Sequence, residues 1–157
     1  MKLRRLALLP VLLLACSEDA VEPRSGTWNY GGSKIASNSC GNDALPTDAS
    51  GPFKLTVTGD GAFTINDGDF ETAFECTYDG DEFSCPNRAA GMYKVDFIDA
   101  TLFYEVSVSG TIVNASELTG TQVVKARCEG ASCMLAADQT GYTLPCEYSF
   151  TFDAIAQ

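Results

Sequence analysis

The sequence predicts an all-β domain: an antiparallel meander of about eight to nine strands, closing into a small up-and-down β-barrel. Three observations carry that expectation. Apolar and polar residues alternate with period two in segment after segment, the pattern of strands with one buried and one wet face. Most links between segments are short and rich in Gly and Asp, which suits hairpins, whereas a parallel sheet needs long crossovers. No segment shows a convincing helical period. A closed barrel leaves no edge exposed, and a β-sandwich is the alternative.

The elements follow in order. Residues 27–34 set Trp28 and Tyr30 on one face. Phe53, Leu55 and Val57 alternate with Lys54, Thr56 and Thr58, and Gly59-Asp60-Gly61 then turns the chain into Phe63 and Ile65. Residues 70–78 place Phe70, Phe74, Cys76 and Tyr78 on one side; after Asp79-Gly80-Asp81, Phe83 and Cys85 continue it. A further strand is expected over 92–98, through Tyr93, Val95 and Phe97. The clearest is 101–113, where Leu102, Tyr104, Val106, Val108 and Ile112 oppose Glu105, Ser107, Ser109 and Thr111. Residues 117–128 and 145–154 complete the set, the last with Cys146, Tyr148, Phe150 and Phe152 on its apolar face. The longer links 35–52 and 129–144 read as loops clamped by disulfides.

The first sixteen residues, MKLRRLALLPVLLLAC, carry an address. Lys2, Arg4 and Arg5 precede an apolar run from Leu6 to Leu14 that is too short to cross a bilayer core, which needs about 20 residues. The ending Leu13-Leu14-Ala15-Cys16 resembles the lipobox of bacterial lipoproteins, and the resemblance implies cleavage before Cys16 and lipidation of its thiol. Three parts are then expected: a signal peptide over 1–15, the lipidated Cys16 with a tether over 16–25, and a single disulfide-stapled domain over 26–157. Ser17 stands where some bacteria place an inner-membrane retention Asp, so the expected location is the cell envelope, at the outer membrane.

Removing residues 1–15 from the chain of 157 takes three of its ten basic residues and none of its 21 acidic ones, leaving a formal charge of −14. Such a domain repels phosphate backbones, and no nucleic-acid partner is expected. The sequence contains no His, which excludes Ser-His-Asp and Cys-His catalysis, and the acidic pairs Asp67/Asp69 and Asp79/Asp81 flank glycines as turn residues do. No catalytic residue, metal ligand or cofactor is expected, and the domain reads as not an enzyme.

Seven cysteines become six once Cys16 is assigned to lipid, an even set that suits three disulfides in an oxidising compartment. A two-residue turn at Gly80-Asp81 places Cys76 directly opposite Cys85 at a non-hydrogen-bonded position, where side chains approach closest. Cys128 and Cys133 enclose four residues and pair locally. Cys40 and Cys146 remain; they meet if the first and last strands pair antiparallel.

Gly26-Thr27-Trp28 at the head of the first strand resembles the G-x-W signature of lipocalins and related calycin barrels, in which the Trp closes one barrel end. The resemblance implies a barrel whose interior takes a small hydrophobic ligand, with Trp28, Tyr30, Tyr104 and Tyr148 as the ligand-binding candidates. Two other features of that family, a Thr-Asp-type motif between late strands and a late Arg over the Trp, are missing. The many large inward aromatics instead favour a filled interior. The leading expectation is therefore a membrane-anchored module that engages an envelope protein or serves a structural role, and a small-ligand carrier is the alternative. With the strand exteriors almost uniformly polar, partner contacts are expected on the loops 35–52, 86–92 and 129–144.

Overall fold

The computed structural model describes residues 21–41, 50–59, 61–66, 68 and 73–157. Eight antiparallel strands close into one barrel in sequence order, each paired with its chain neighbour and the last with the first. They are β1 (Gly26–Asn38), β2 (Pro52–Gly59), β3 (Ala62–Asn66), β4 (Phe74–Asp79), β5 (Glu82–Lys94), β6 (Thr101–Asn114), β7 (Glu117–Glu129) and β8 (Cys146–Ala156). The up-and-down barrel expected from the sequence is the fold, and the sandwich alternative falls away.

The strands differ in length, and that shapes the molecule. β1 and β5–β8 run 11 to 14 residues, whereas β2, β3 and β4 have 8, 5 and 6. β2 begins opposite Asn29, only three residues into β1. One half of the barrel is thus ringed by all eight strands, and the other half is a curled palisade of five. A 13-residue strand tilted by about 40° gives a barrel roughly 30 Å tall.

The ringed half is packed with aromatic side chains. Trp28 is completely buried and stacks on Phe53 at 6.2 Å between ring centroids. Tyr30 tilts against Phe53 at 4.6 Å and meets Phe152 edge-on at 5.4 Å, and Phe63 meets Phe83 edge-on at 5.5 Å. Two glycines make room for this. Gly110 and Gly120 pair across β6 and β7. A Cβ on Gly110 would lie 2.0 Å from the Thr119 carbonyl oxygen and 2.8 Å from the Phe83 ring; one on Gly120 would lie 2.7 Å from Phe152. Only bare backbone lets both rings lie flat over the strand pair, the role glycine takes where a sheet bends sharply under aromatic cover.

Trp28 also closes its end of the barrel. Its indole N–H donates to the Arg24 carbonyl at 2.9 Å. Val21–Ser25, the last part of the expected tether, lie across this end. Pro23 is fully buried, the Arg24 N–H donates to the Ala115 carbonyl at 2.7 Å, and the Arg24 guanidinium donates to the Gln157 carbonyl at 2.6 Å. The strap is therefore hydrogen-bonded to the β6–β7 turn and to the end of β8.

Three departures from the sequence reading have physical causes. The strand expected over 92–98 does not form as a unit. Residues 83–85 and 92–94 belong to one strand, β5, which absorbs register shifts between Cys85 and Arg88 and between Ala89 and Gly91. Those shifts re-aim its side chains, and the expected loop 86–92 is strand. Beyond Lys94 the chain turns, with the Val95 N–H donating to the Ala100 carbonyl at 3.0 Å, and Phe97 sits in the turn rather than on a buried face. Residues 35–38, expected as loop, extend β1, whereas 42–49 lie outside the described residues. Finally, the link 129–144 holds a helix, α1 (Cys133–Thr140), ended by Gly141 in a left-handed conformation. Its period was invisible because only Ala136 is buried and no side chain caps its start.

Candidate functional site

Three disulfides join the pairs expected from spacing. Cys76–Cys85 lies just beyond the register Thr77↔Ser84, Tyr78↔Phe83 and Asp79↔Glu82, with Cα atoms 4.1 Å apart. Cys40–Cys146 ties the segment after β1 to the head of β8, and Cys128–Cys133 ties the end of β7 to the head of α1. Two of the three thus brace the end of the barrel opposite the strap. Cys16 lies outside the described residues, as do Asp67 and Asp69. Gly80 takes φ 62° in the turn that Asp79 and Asp81 flank, the left-handed geometry such hairpins need.

The four aromatic candidates separate into two groups. Trp28 and Tyr30 face Ala156 and Ala154 near the strap, while Tyr148 lies six residues up β8, opposite Val124 of β7. Tyr104, opposite Ala126, belongs with Tyr148. The two levels are thus about 20 Å apart along the strand. Tyr142, from the link after α1, completes the upper group and shares a hydrogen bond with Tyr104. Burial holds the Tyr148 hydroxyl up at about 12, with Tyr142 and Tyr104 adding to the effect. Tyr104 is raised as well, by burial first and then by Tyr142. Above the ringed half, the Arg88 guanidinium lies 3.5 Å from the centre of the Phe74 ring, where the short strands stop. Arg88 was not singled out from the sequence, because the preceding bulge is what turns it inward.

The residues that the alternating pattern hid stand on the rim at the braced end. Met92 and Tyr93 close β5, Phe97 tops the 95–100 turn, and Met134 and Leu135 open α1; all five are exposed, Met92 at 75%, Met134 at 86% and Phe97 completely. The same end holds a small second core in which Val95, Ala100, Leu102 and Ala136 are buried, with Ile98 and Cys128 packed against it. The turn and the start of the helical link are fastened together. The Ser132 N–H donates to the Asp99 carbonyl at 2.9 Å, and the Ala131 N–H donates to the Asp99 carboxylate at 3.0 Å. Gly130, with φ 123°, fits so closely that a Cβ there would lie 2.2 Å from the Asp99 carbonyl oxygen.

On that braced turn, Phe97 has φ 68° and is the one positive-φ non-glycine among the described residues. An aromatic residue in that region costs of order 1–3 kcal/mol, and such strain persists where the surroundings impose it. The side chain recovers nothing by burial. Sequence reading took Phe97 for a strand residue because Tyr93, Val95 and Phe97 keep the period of two across the turn.

Among the described residues, no group of three or more His, Cys, Asp or Glu is gathered to hold a metal ion. Those residues line a shallow, open depression on the outer wall between Thr77 and Thr111. Compared with protein-family models, with curated proteins and with solved structures, the chain matches none.

Proposed function

We propose that this chain is a lipid-anchored envelope protein whose β-barrel is a non-catalytic interaction module. The observation that supports the reading best is the distribution of apolar side chains. Where a carrier would keep space, Trp28, Tyr30, Phe53, Phe63, Phe83 and Phe152 pack ring against ring. Of the exposed large apolar side chains, Met92, Tyr93, Phe97, Met134 and Leu135 stand at the braced end, against Val21, Val113 and Ile155 at the strap end. The signal-peptide pattern ending in Cys16 supports export and acylation, and three disulfides suit an oxidising compartment.

The carrier reading draws its support from the upper half, where Tyr104, Tyr142 and Tyr148 stand above the short strands. Native mass spectrometry after incubation with envelope lipid extract separates the two. A module leaves the mass of the mature protein unchanged. Stoichiometric retention of a lipid or other small hydrophobe would overturn the interaction reading in favour of the carrier.

A further inference from the structure

Resting on the interaction reading, we infer that the rim formed by Met92, Phe97, Met134 and Leu135 is the docking surface, and that its partner is a protein presenting an apolar pocket bordered by basic residues. Two observations converge on this rim. Phe97 is fully exposed and held at φ 68° by a turn that Asp99 fastens to residues 131 and 132. A ring presented in advance, on a turn already rigid, gives up little freedom when it enters a pocket, and such aromatic anchors dominate binding energy. Met134 and Leu135 extend the apolar surface from a helix whose start is tied by Cys128–Cys133.

Charge decides what covers it. Asp96, Asp99 and Asp138 are exposed around the rim against Lys94, while Glu129 and Arg127 pair with each other. Arg127 is already engaged, paired with Glu105 and Glu129 and lying 4.4 Å from the centre of the Phe103 ring. The whole chain carries a net charge of −11. A second copy would set acid against acid, and so would a membrane of anionic headgroups. Position also argues against the bilayer. Five residue spacings separate Cys16 from Val21, a reach of at most about 17 Å, whereas the rim lies roughly 30 Å from the strap. A basic-bordered apolar pocket on a protein meets both demands.

The test places a photo-crosslinking phenylalanine analogue at position 97 in the full-length chain within its own host. The same analogue at Val113, on the strap end, and at Lys54, on the wall, serves as comparison. The expected result is a protein adduct at position 97 whose crosslinked peptide holds apolar residues beside Lys or Arg. With that partner purified, Phe97→Gly should weaken binding at least tenfold while raising the urea midpoint of the chain, since glycine adopts φ 68° without strain. Met134→Ser should weaken binding as well, and added salt should weaken it in the parent. A lost affinity with a gain in stability is not what a structural role for Phe97 would produce.

An adduct between two copies, or one with lipid, would overturn the inference. So would unchanged affinity in Phe97→Gly. Protein adducts at Val113 or Lys54 without one at 97 would leave the module reading standing and overturn this surface. An absence of protein adducts at all three positions would overturn both.

Discussion

Tyr148 shows how a single buried group sets a limit on the conditions the fold tolerates. Its phenol is neutral, shielded by burial and crowded by Tyr142 and Tyr104, and it ionises at about 12 in the folded chain against about 10 when exposed to water. Between those values the unfolded chain has released its proton and the folded chain has not. Rising pH therefore favours unfolding. The stability that Tyr148 contributes is complete below about pH 10 and is lost as the pH climbs to about 12. Urea midpoints measured from pH 8 to 12 should fall steeply above 10, and Tyr148→Phe should flatten that fall. An identical decline in the variant would show that the hydroxyl is not buried as described.

The elements differ in how plainly the residues announce them. β6 was legible because its alternation runs unbroken from Leu102 to Val108, and its partner β7 matches it residue for residue from Thr101↔Glu129 to Ile112↔Leu118. The hairpin β4–β5 was legible because a two-residue turn leaves only one register in which Cys76 faces Cys85. Beyond that pair the reading failed, since the bulges at Arg88 and Gly91 shift the faces of β5 and alternation alone records no bulge. The strap was hidden for another reason: Pro23 and Arg24 look like any polar linker until the closed barrel end supplies their partners. The rim was hidden because an exposed apolar residue and a core residue carry the same signature in sequence, and only the fold separates them.

The disulfides, being legible from spacing, also give a graded expectation at this scale. In the chain-entropy model, the bridge Cys40–Cys146, with a separation of 106 residues, contributes about 5 kcal/mol. Cys76–Cys85 and Cys128–Cys133, with separations of 9 and 5, contribute about 2–3 and about 2 kcal/mol. Paired Cys→Ser variants should therefore lose stability in that order in urea titrations. If removing Cys128–Cys133 cost the most, the small core beneath α1 would be holding the barrel rather than resting on it.

For the whole molecule, the decisive feature is that its two ends are unlike. One is sealed by Trp28 and Pro23 and carries the chain toward Cys16; the other is braced by two disulfides and presents Phe97. Under the proposed anchoring at Cys16, the barrel between them would be a spacer that sets the rim away from the membrane. A distance measurement checks this polarity. The full-length chain, carrying the acylation proposed at Cys16, is placed in vesicles, with spin labels introduced in separate samples at Val113 and at Phe97 and a paramagnetic relaxant carried on the lipid headgroups. Strong relaxation enhancement is expected at 113 and little or none at 97. Equal enhancement at both positions, greater enhancement at 97, or none at either would contradict it.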